Sequence, residues 1–572
     1  MRLKITQSKN ARSLYVIKSF RANGKNTSKI VEKLGTYDEL LRKLNGQDPI
    51  AWAKAYIEEL NRKDKEENRK IMVQYSPAKL IAKDEQHSFN AGYLFLQQIY
   101  HQLKLHDICR TIADKYKFSF SLDAVLSRLV YGRILFPASK SATCQLSARF
   151  IEQSNFELQH IYRALEVIAK ETDFIQSELY KNSLALGKRN CGVLYYDCTN
   201  YFFEIEQEEG LKQYGYSKEH RPNPLVQMGL FMDGDGIPLA FDIHAGNTNE
   251  QVTLTPLEQK ILDDFGVSKF VVCTDAGLAS YDNRRFNDRC DRAFITTQSI
   301  KTLKAYLKEW ALHPAGWRLM GGNGPERYDI STLDEQKDRE NTYYKERWIN
   351  ENGLEQKLIV TYSIKHREYQ REVRNGQIER AAKLIGTRPG KLKKCGPNDC
   401  KRFIAKTTIT ADGEVAEKTL FSIDTDIIAA EEAFDGFYGT CTNLEDEAPA
   451  IMTAVHRRWE IEECFRILKS EFKARPVYLS RDDRIRAHFV TCFIALSIYR
   501  FLEKKLSGRF TCRQIIQGLR DMNFLEIPGD GFVPNYTRSD FTDALHAAFG
   551  FRTDYQILSK SQFKKISAAT KK

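Results

Sequence analysis

Hydrophobic and polar positions along the 572-residue chain change their period three times, and each change marks a different kind of structure. Near the N-terminus, SLYVIKSFR and SKIVEKLG alternate around Asn23-Gly24, the pattern of two strands joined by a tight turn. From about Tyr37 to Leu186 the apolar residues recur at helical spacing, interrupted by charged stretches such as NRKDKEENRK. Within this region SLDAVLSRLVYGRILFPASKSATCQLSARF predicts two helices separated at Phe136-Pro137. They form either a helix-turn-helix with Arg133, Lys140 or Arg149 facing DNA, or a plain helical hairpin.

After Arg189 short apolar runs predict strands. Gly192 to Asp197 ends in an acid, and Gln227 to Met232 with Ile237 to His244 reads as a hairpin across Asp233-Gly234-Asp235-Gly236. That Asp-Gly-Asp-Gly run lacks the downstream acidic ligand of a calcium loop and is read as a turn. A helix, TPLEQKILDDFG, leads to the strand KFVVCTD, which again ends in an acid. A polar helix around Tyr281 to Arg289 and the strand AFITTQS follow. A long irregular region then runs to about Phe434, holding the strand QKLIVTYS and the charged helix KHREYQREVRNGQIERAAKLI. Beyond it come the strand FDGFYGTCTN, a helix read from Arg457 to Lys473, and a buried helix around Phe489 to Tyr499. Three antiparallel strands, a helix, a parallel strand and further helices predict an α/β fold with a ribonuclease H-like catalytic core. A β-containing insertion interrupts that core, and a mostly helical DNA-binding region precedes it. The expected divisions are a basic β-hairpin arm over 1–36, the helical region over 37–188, the core over 189–300 and 433–505, the insertion over 301–432, and a C-terminal region over 506–572.

Charge sharpens this picture. The formal net charge is +12, and residues 1–35 hold nine Lys or Arg against the single acid Glu32. A basic arm without an amphipathic run or lipidation signal points to nucleic acid rather than a membrane surface. The start MRLKITQSKN lacks the apolar core of a signal peptide, and the Phe489–Tyr499 stretch is too short to span a bilayer. An intracellular protein is expected, cytoplasmic and nucleoid-associated, with no membrane partner. The twelve cysteines are scattered and read as reduced core thiols. Cys395 and Cys400 in KKCGPNDCKR look like half a zinc knuckle, with no second ligand pair following.

The candidate chemistry lies in three acids. Asp197 and Asp275 end strands that are adjacent in the expected layout, so their carboxylates converge at one sheet end. On the helix RRWEIEECFRILKSEFK, stepping about 100° per residue brings Glu462, Lys469, Lys473, Arg466 and Trp459 within about 100° of Arg458. Ile461, Phe465, Leu468 and Phe472 cluster at about 280 to 340°, an apolar stripe at whose edge Glu462 stands. An acid ringed by cations suits work on a phosphate backbone. Three hard oxygen ligands suit Mg²⁺ or Mn²⁺, two ions per active site, rather than zinc. A surface helix with ordinary ion pairs is the plainer alternative for the helix alone. A glycosidase using paired carboxylates gains little from so many cations around one acid.

The segments YYDCTNYFFE, GNTNEQVTL, VCTDAG and RRWEIEECFRILKSEFKARPVYL together resemble successive blocks of DDE transposases of bacterial insertion sequences, specifically the insertion sequence four superfamily. Arg458, Glu462 and Lys469 match the last three positions of that branch's Tyr-Arg-Glu-Lys signature, while Val455 stands where it has tyrosine. The resemblance covers about residues 190 to 505. It implies that Asp197, Asp275 and Glu462 are catalytic and hold the metals, and that Arg458 and Lys469 grip DNA phosphates. Arg466 and Lys473 extend the basic strip, and Trp459 either stacks on a displaced base or anchors the rim of the core. It further implies binding of double-stranded DNA at terminal inverted repeats, metal-dependent cleavage, strand transfer into target DNA and a homodimer in the DNA complex. A catalytically silent, domesticated DNA-binding descendant is the alternative function. His244 is set aside as structural. The loop GYSKEHRPN, with Lys218, His220 and Arg221, is either a DNA contact or a solvated loop.

Overall fold

Three strands open the chain: β1 (Arg2–Gln7), β2 (Arg12–Ala22) and β3 (Lys25–Thr36), an antiparallel meander in the order of the sequence. The computed structural model describes residues 1–8, 11–22, 25–67, 76–78, 80–153, 155–322, 324–387, 399–409 and 418–572. Two of these strands are the expected pair, with Ala22 opposite Lys25; Asn23-Gly24 itself lies outside the described residues, as does Cys395. The third, β1, extends the hairpin to a sheet. Thr36 ends β3 and caps the helix Tyr37–Lys43 by a reciprocal pair of bonds with Glu39, satisfying backbone groups that a helix start leaves open. Leu14, Leu40 and Ala53 form the small core beneath, so position 36 joins strand to helix within one unit. The chain divides into two such units, Met1–Glu85 with Ile527–Asp530, and Gln86–Glu526 with Gly531–Lys572.

The larger unit begins with β4 (Ser88–Asn90), paired to Asn523, Phe524 and Leu525, and continues through helices at Tyr93–Gln102, Leu105–Tyr116, Leu122–Leu135, Lys140–Leu146, Leu158–Lys170 and Thr172–Ser183. The break at Phe136-Pro137 is where the sequence places it, and Ser139 caps the next helix. The outward-facing helix-turn-helix reading of this pair is corrected for two of its three residues: Arg133 and Lys140 are turned inward, each only 5% exposed. Arg133 spends its guanidinium on the carbonyls of Ala138, Phe472 and Lys473, and of the three only Arg149 faces outward.

A nine-stranded mixed sheet follows: β5 (Val193–Phe202), β6 (Leu225–Asp233), β7 (Pro238–Ala245), β8 (Phe270–Thr274), β9 (Arg292–Gln298), β10 (Arg318–Leu319), β11 (Tyr343–Glu351) and β12 (Leu354–Tyr362), with β15 (Phe437–Thr442) arriving after a separate hairpin of β13 (Ile404–Ile409) and β14 (Lys418–Ile423). Their order in space is β10-β11-β12-β15-β9-β8-β5-β6-β7. β5, β6 and β7 are antiparallel, whereas β8 and β9 run parallel to β5. This is the layout read from the sequence for 189–300. Three strands of the 301–432 segment continue the same sheet beyond β15.

Alternation along β5 assigns its two faces. Leu194, Tyr196 and Cys198 pack with Leu254, Leu257 and Ile261 of the helix Leu254–Asp264. Tyr195 and Tyr201 point the other way, into the large core shared with the long helix Asp482–Lys505 and the helix Trp459–Arg466. Asp197 has the parity of Tyr195 and therefore belongs to the second face. The Asp482–Lys505 helix is long and apolar enough to cross a membrane, yet 94% of its most apolar stretch is buried inside the fold. Asp233 turns the β6–β7 hairpin by accepting from the amides of Asp235 and Ile237 and pairs with Arg189, as its reading as a turn requires. The described cysteines are free, and Cys198, Cys273 and Cys492 are buried.

Candidate active site

The parallel ladder between β5 and β8 sets Tyr195 opposite Cys273. Two residues beyond this last pair stand Asp197 and Asp275, at the same end of the neighbouring strands. Asp197 is still inside its strand, where its Oδ1 accepts from the amide of Cys198 at 2.7 Å. Asp275 is just past the end of β8 and caps a short helical turn, accepting from the amide of Leu278 at 3.2 Å. Burial pushes the Asp197 carboxyl up to about 6; the nearby Lys218 and Arg458 oppose this and the neighbouring charge of Asp275 adds to it. A desolvated carboxylate beside a second one is an under-compensated pair, the situation a divalent cation relieves.

Glu462 lies on the helix Trp459–Arg466, which the face carrying Asp197 supports. Arg500 of the long core helix donates to Glu460 at 3.0 Å and to the Gly236 carbonyl at 2.7 Å, pinning the helix from behind. The Tyr195 hydroxyl donates to the Ala454 carbonyl at 2.9 Å, holding the preceding helix, Ala448–His456, to β5. The expected apolar stripe is present: Ile461, Phe465, Leu468 and Phe472 are all buried. Glu462 is 60% exposed at the side chain, and its Oε1 is 3.4 Å from an Arg458 guanidinium nitrogen. Arg458 is thus the link between the acids, paired to Glu462 and close enough to Asp197 to favour its charged form. Asp197 and Asp275 stand together; Glu462 does not join them in a cluster tight enough to share one ion among the described residues. Instead Glu462, Arg458 and Trp459 line a cavity of about 420 Å³ whose other walls include Tyr438, His366 and Met452.

The helix itself departs from the reading over Arg457 to Lys473. It starts at Trp459 after a turn, and from Ile467 to Glu471 it widens to a π-turn, with the Phe472 amide donating to the Ile467 carbonyl. Angles counted in α-helical steps do not hold past Arg466. Lys469 stays on the acid side, half-buried and over the Tyr201 ring at 5.7 Å. Burial lowers its ammonium to about 8; Lys218 adds to the fall and Asp197 resists it. Lys473 lies beyond the helix, exposed, at φ 46°, which corrects its place on the Glu462 face. Arg466 is held by Glu463, with Nε donating at 2.6 Å, so its charge is already paired. Trp459 is 60% exposed.

Lys218 belongs to the site more firmly than its sequence suggested. Its ammonium donates to the Cys198 carbonyl at 2.6 Å and lies 3.3 Å from Glu250. Burial alone depresses such a group, but the charges of Asp197 and Glu250 outweigh it and raise the pKa. Glu219 next to it pairs with Arg475 and approaches Lys469 at 3.8 Å. A topological signal was available. The loop leaves β5 beyond Asp197 and returns into neighbouring β6, and Glu250 follows β7, which runs in the same direction as β5, so both lie at the acid end of the sheet. His244 is half-buried on β7 with its pKa lowered by burial, in keeping with a structural role.

A mixed sheet whose adjacent parallel strands deliver two aspartates, faced by a helix bearing a glutamate and cations, defines a candidate nuclease or transferase of phosphodiesters. The model of the transposase DDE domain family matches residues 202–498, and that of the IS1634 family transposase N-terminal domain matches residues 3–71. The chain therefore belongs to the DDE transposases of bacterial insertion sequences. Asp275 and Glu462 lie within the larger match, and Asp197 stands five residues before it. No curated protein matches the chain. Among solved structures it is similar to a piggyBac transposase synaptic complex with hairpin DNA, at 8% identity over 84% of each chain and a TM-score of 0.36, a likeness too distant to decide any feature.

Proposed function

We propose that this transposase binds the terminal inverted repeats of its own element, cuts there, and joins the freed 3′-oxygen to target DNA. The observation that carries this reading is the pair Asp197 and Asp275 at one end of adjacent parallel strands, with Arg458 paired to Glu462 and near Asp197. The strand layout supports a ribonuclease H-like core, and the Arg458, Glu462 and Lys469 spacing supports the insertion sequence four branch. DDE domains use divalent metal, and the carboxylates here fit it, since the desolvated Asp197 beside Asp275 offers hard oxygen donors to a dication. Asp197, Asp275 and Glu462 would hold two Mg²⁺ or Mn²⁺ ions, which when bound supply Lewis acidity and neutralise phosphate charge.

The protein's own groups position the DNA. Arg458 holds Glu462 toward the acids and presents its remaining donors to a phosphate. Lys469 and Lys218 set a positive wall opposite Asp197, where the scissile phosphate must sit. Trp459, exposed at the rim of the cavity beside Glu462, offers a face for a displaced base, while Arg466 and Lys473 contact DNA further out. In cleavage, water oxygen bonds to phosphorus and the 3′-oxygen leaves; in transfer, that 3′-oxygen attacks a target phosphorus and releases the target's own 3′-oxygen. Binding two ends at once calls for a homodimer assembled on DNA, working in the cytoplasm at the nucleoid. The test is a labelled duplex carrying the element's terminal repeat, incubated with Mg²⁺ or EDTA, with wild type and Glu462→Gln. Metal-dependent cuts at the repeat boundary, lost in the variant, are expected. Tight binding without cutting would instead identify a domesticated DNA-binding protein.

A further inference from the structure

A second cavity, of about 300 Å³, opens where the helical pair around Pro137 meets the segment following the π-turn. Its lining includes Arg133, Lys140, Lys473 and Arg475, and none of its lining residues is acidic. Lys140 is the unusual member. It is 5% exposed and has no carboxylate partner among the described residues. Burial and the nearby Arg133 pull its ammonium down to about 7. Arg133 is equally buried; its terminal nitrogens donate to backbone carbonyls and its Nε has no partner, so its charge is hydrogen-bonded but not neutralised. His488, which also lines the cavity, contributes no charge, because burial and these two cations drive its pKa well below 6.5. Among the described residues, the only carboxylate engaging a lining cation is Glu219, on Arg475. Buried cations are ordinarily paired, and two uncompensated ones facing a cavity leave a site that an anion completes.

We infer that this cavity is a phosphate-binding site, separate from the three acids, in which Lys140 and Arg133 from the helical region and Lys473 from the segment after the catalytic helix enclose one phosphoryl group. The space exceeds a bare phosphate and admits its sugar as well, with Tyr162 and Tyr478 as walls. The phosphoryl group comes either from the backbone of bound DNA or from free phosphate. The DNA source rests on the transposase reading above; the phosphate site does not.

The test uses the full chain and inorganic phosphate. At constant ionic strength, replacing chloride by phosphate should raise the wild-type melting temperature by about 2 °C or more in a saturable way. Lys140→Met, which keeps the side-chain length, should lose that increment, and Lys140→Arg should restore it. If duplex DNA supplies the phosphate, the slope of log affinity against log salt falls by about 1 in Lys140→Met. An unchanged slope with a lost phosphate increment assigns the site to free phosphate. Equal phosphate increments and equal salt slopes in wild type and Lys140→Met overturn the inference. Should Lys140→Met fail to fold, exposed Lys473→Gln must weaken the phosphate increment, and an undiminished increment overturns it equally.

Discussion

The two aspartates and the glutamate of this transposase are held by different means. Asp197 is held inside β5, Asp275 by the short helical turn it caps two residues beyond the last β5–β8 pair, and Asp197 bears the cost of desolvation. Glu462 is carried on an eight-residue helix, solvent-exposed, with one ion pair to Arg458. The sheet and the turn after β8 thus set two carboxylates close together, one of them desolvated, while the third acid stands exposed beside Arg458.

The largest expected effect erases the contrast: Asp197→Asn, Asp275→Asn and Glu462→Gln should each abolish cleavage of the terminal-repeat duplex while leaving its binding intact, measured by gel cleavage beside a binding titration. Wild-type cleavage by any one of them removes that residue from the site. Stability without divalent ion should separate the two kinds of acid. Because the folded pKa of Asp197 is raised to about 6, ionising it costs the folded state stability that is lost as pH rises from about 4 to 6. Asp197→Asn should then be more stable than wild type at pH 7 by on the order of 2 kcal/mol, with the gap closing below about pH 4, read from denaturant melts. Glu462→Gln should stay within about 0.5 kcal/mol of wild type at both pH values. Trp459→Ala should weaken end binding by about 1 kcal/mol without moving the melting temperature, since the ring is largely exposed. Smallest is Arg466→Ala, expected to shift binding by less than about 0.5 kcal/mol because Glu463 already holds its charge.

Alternation is legible because period two is strict, and the parity of Tyr195 predicts the face of Asp197. KFVVCTD announces the acid just past the end of β8, whereas β5 runs five residues beyond Asp197, because CTNYF continues the strand against β6. The apolar stripe of the Glu462 helix was equally readable. The π-turn was not, since ILKSE differs in no composition from an α-helical run, and the widened turn appears only in the Phe472-to-Ile467 bond. The inward turn of Arg133 and Lys140 was hidden for a similar reason. A cation on a helix reads as surface until the carbonyls and cavity it faces, contributed by residues more than three hundred positions away, are known. Lys218 was named in a loop but not joined to Asp197, because only the β5–β6 connection brings them together.

The long sheet carries a further lesson at its borders. Strands left open at an edge invite another chain to add itself, and nine strands make a broad template for such growth. Here one border is β10, only two residues long, and the other, β7, lies under the helices Thr172–Ser183, Leu254–Asp264 and Asp482–Lys505. The extension that β11 and β12 add to the platform is thus closed off almost as soon as it is made. Lengthening β10 by a few alternating apolar residues should make the protein polymerise through its own sheet, an outcome visible by light scattering.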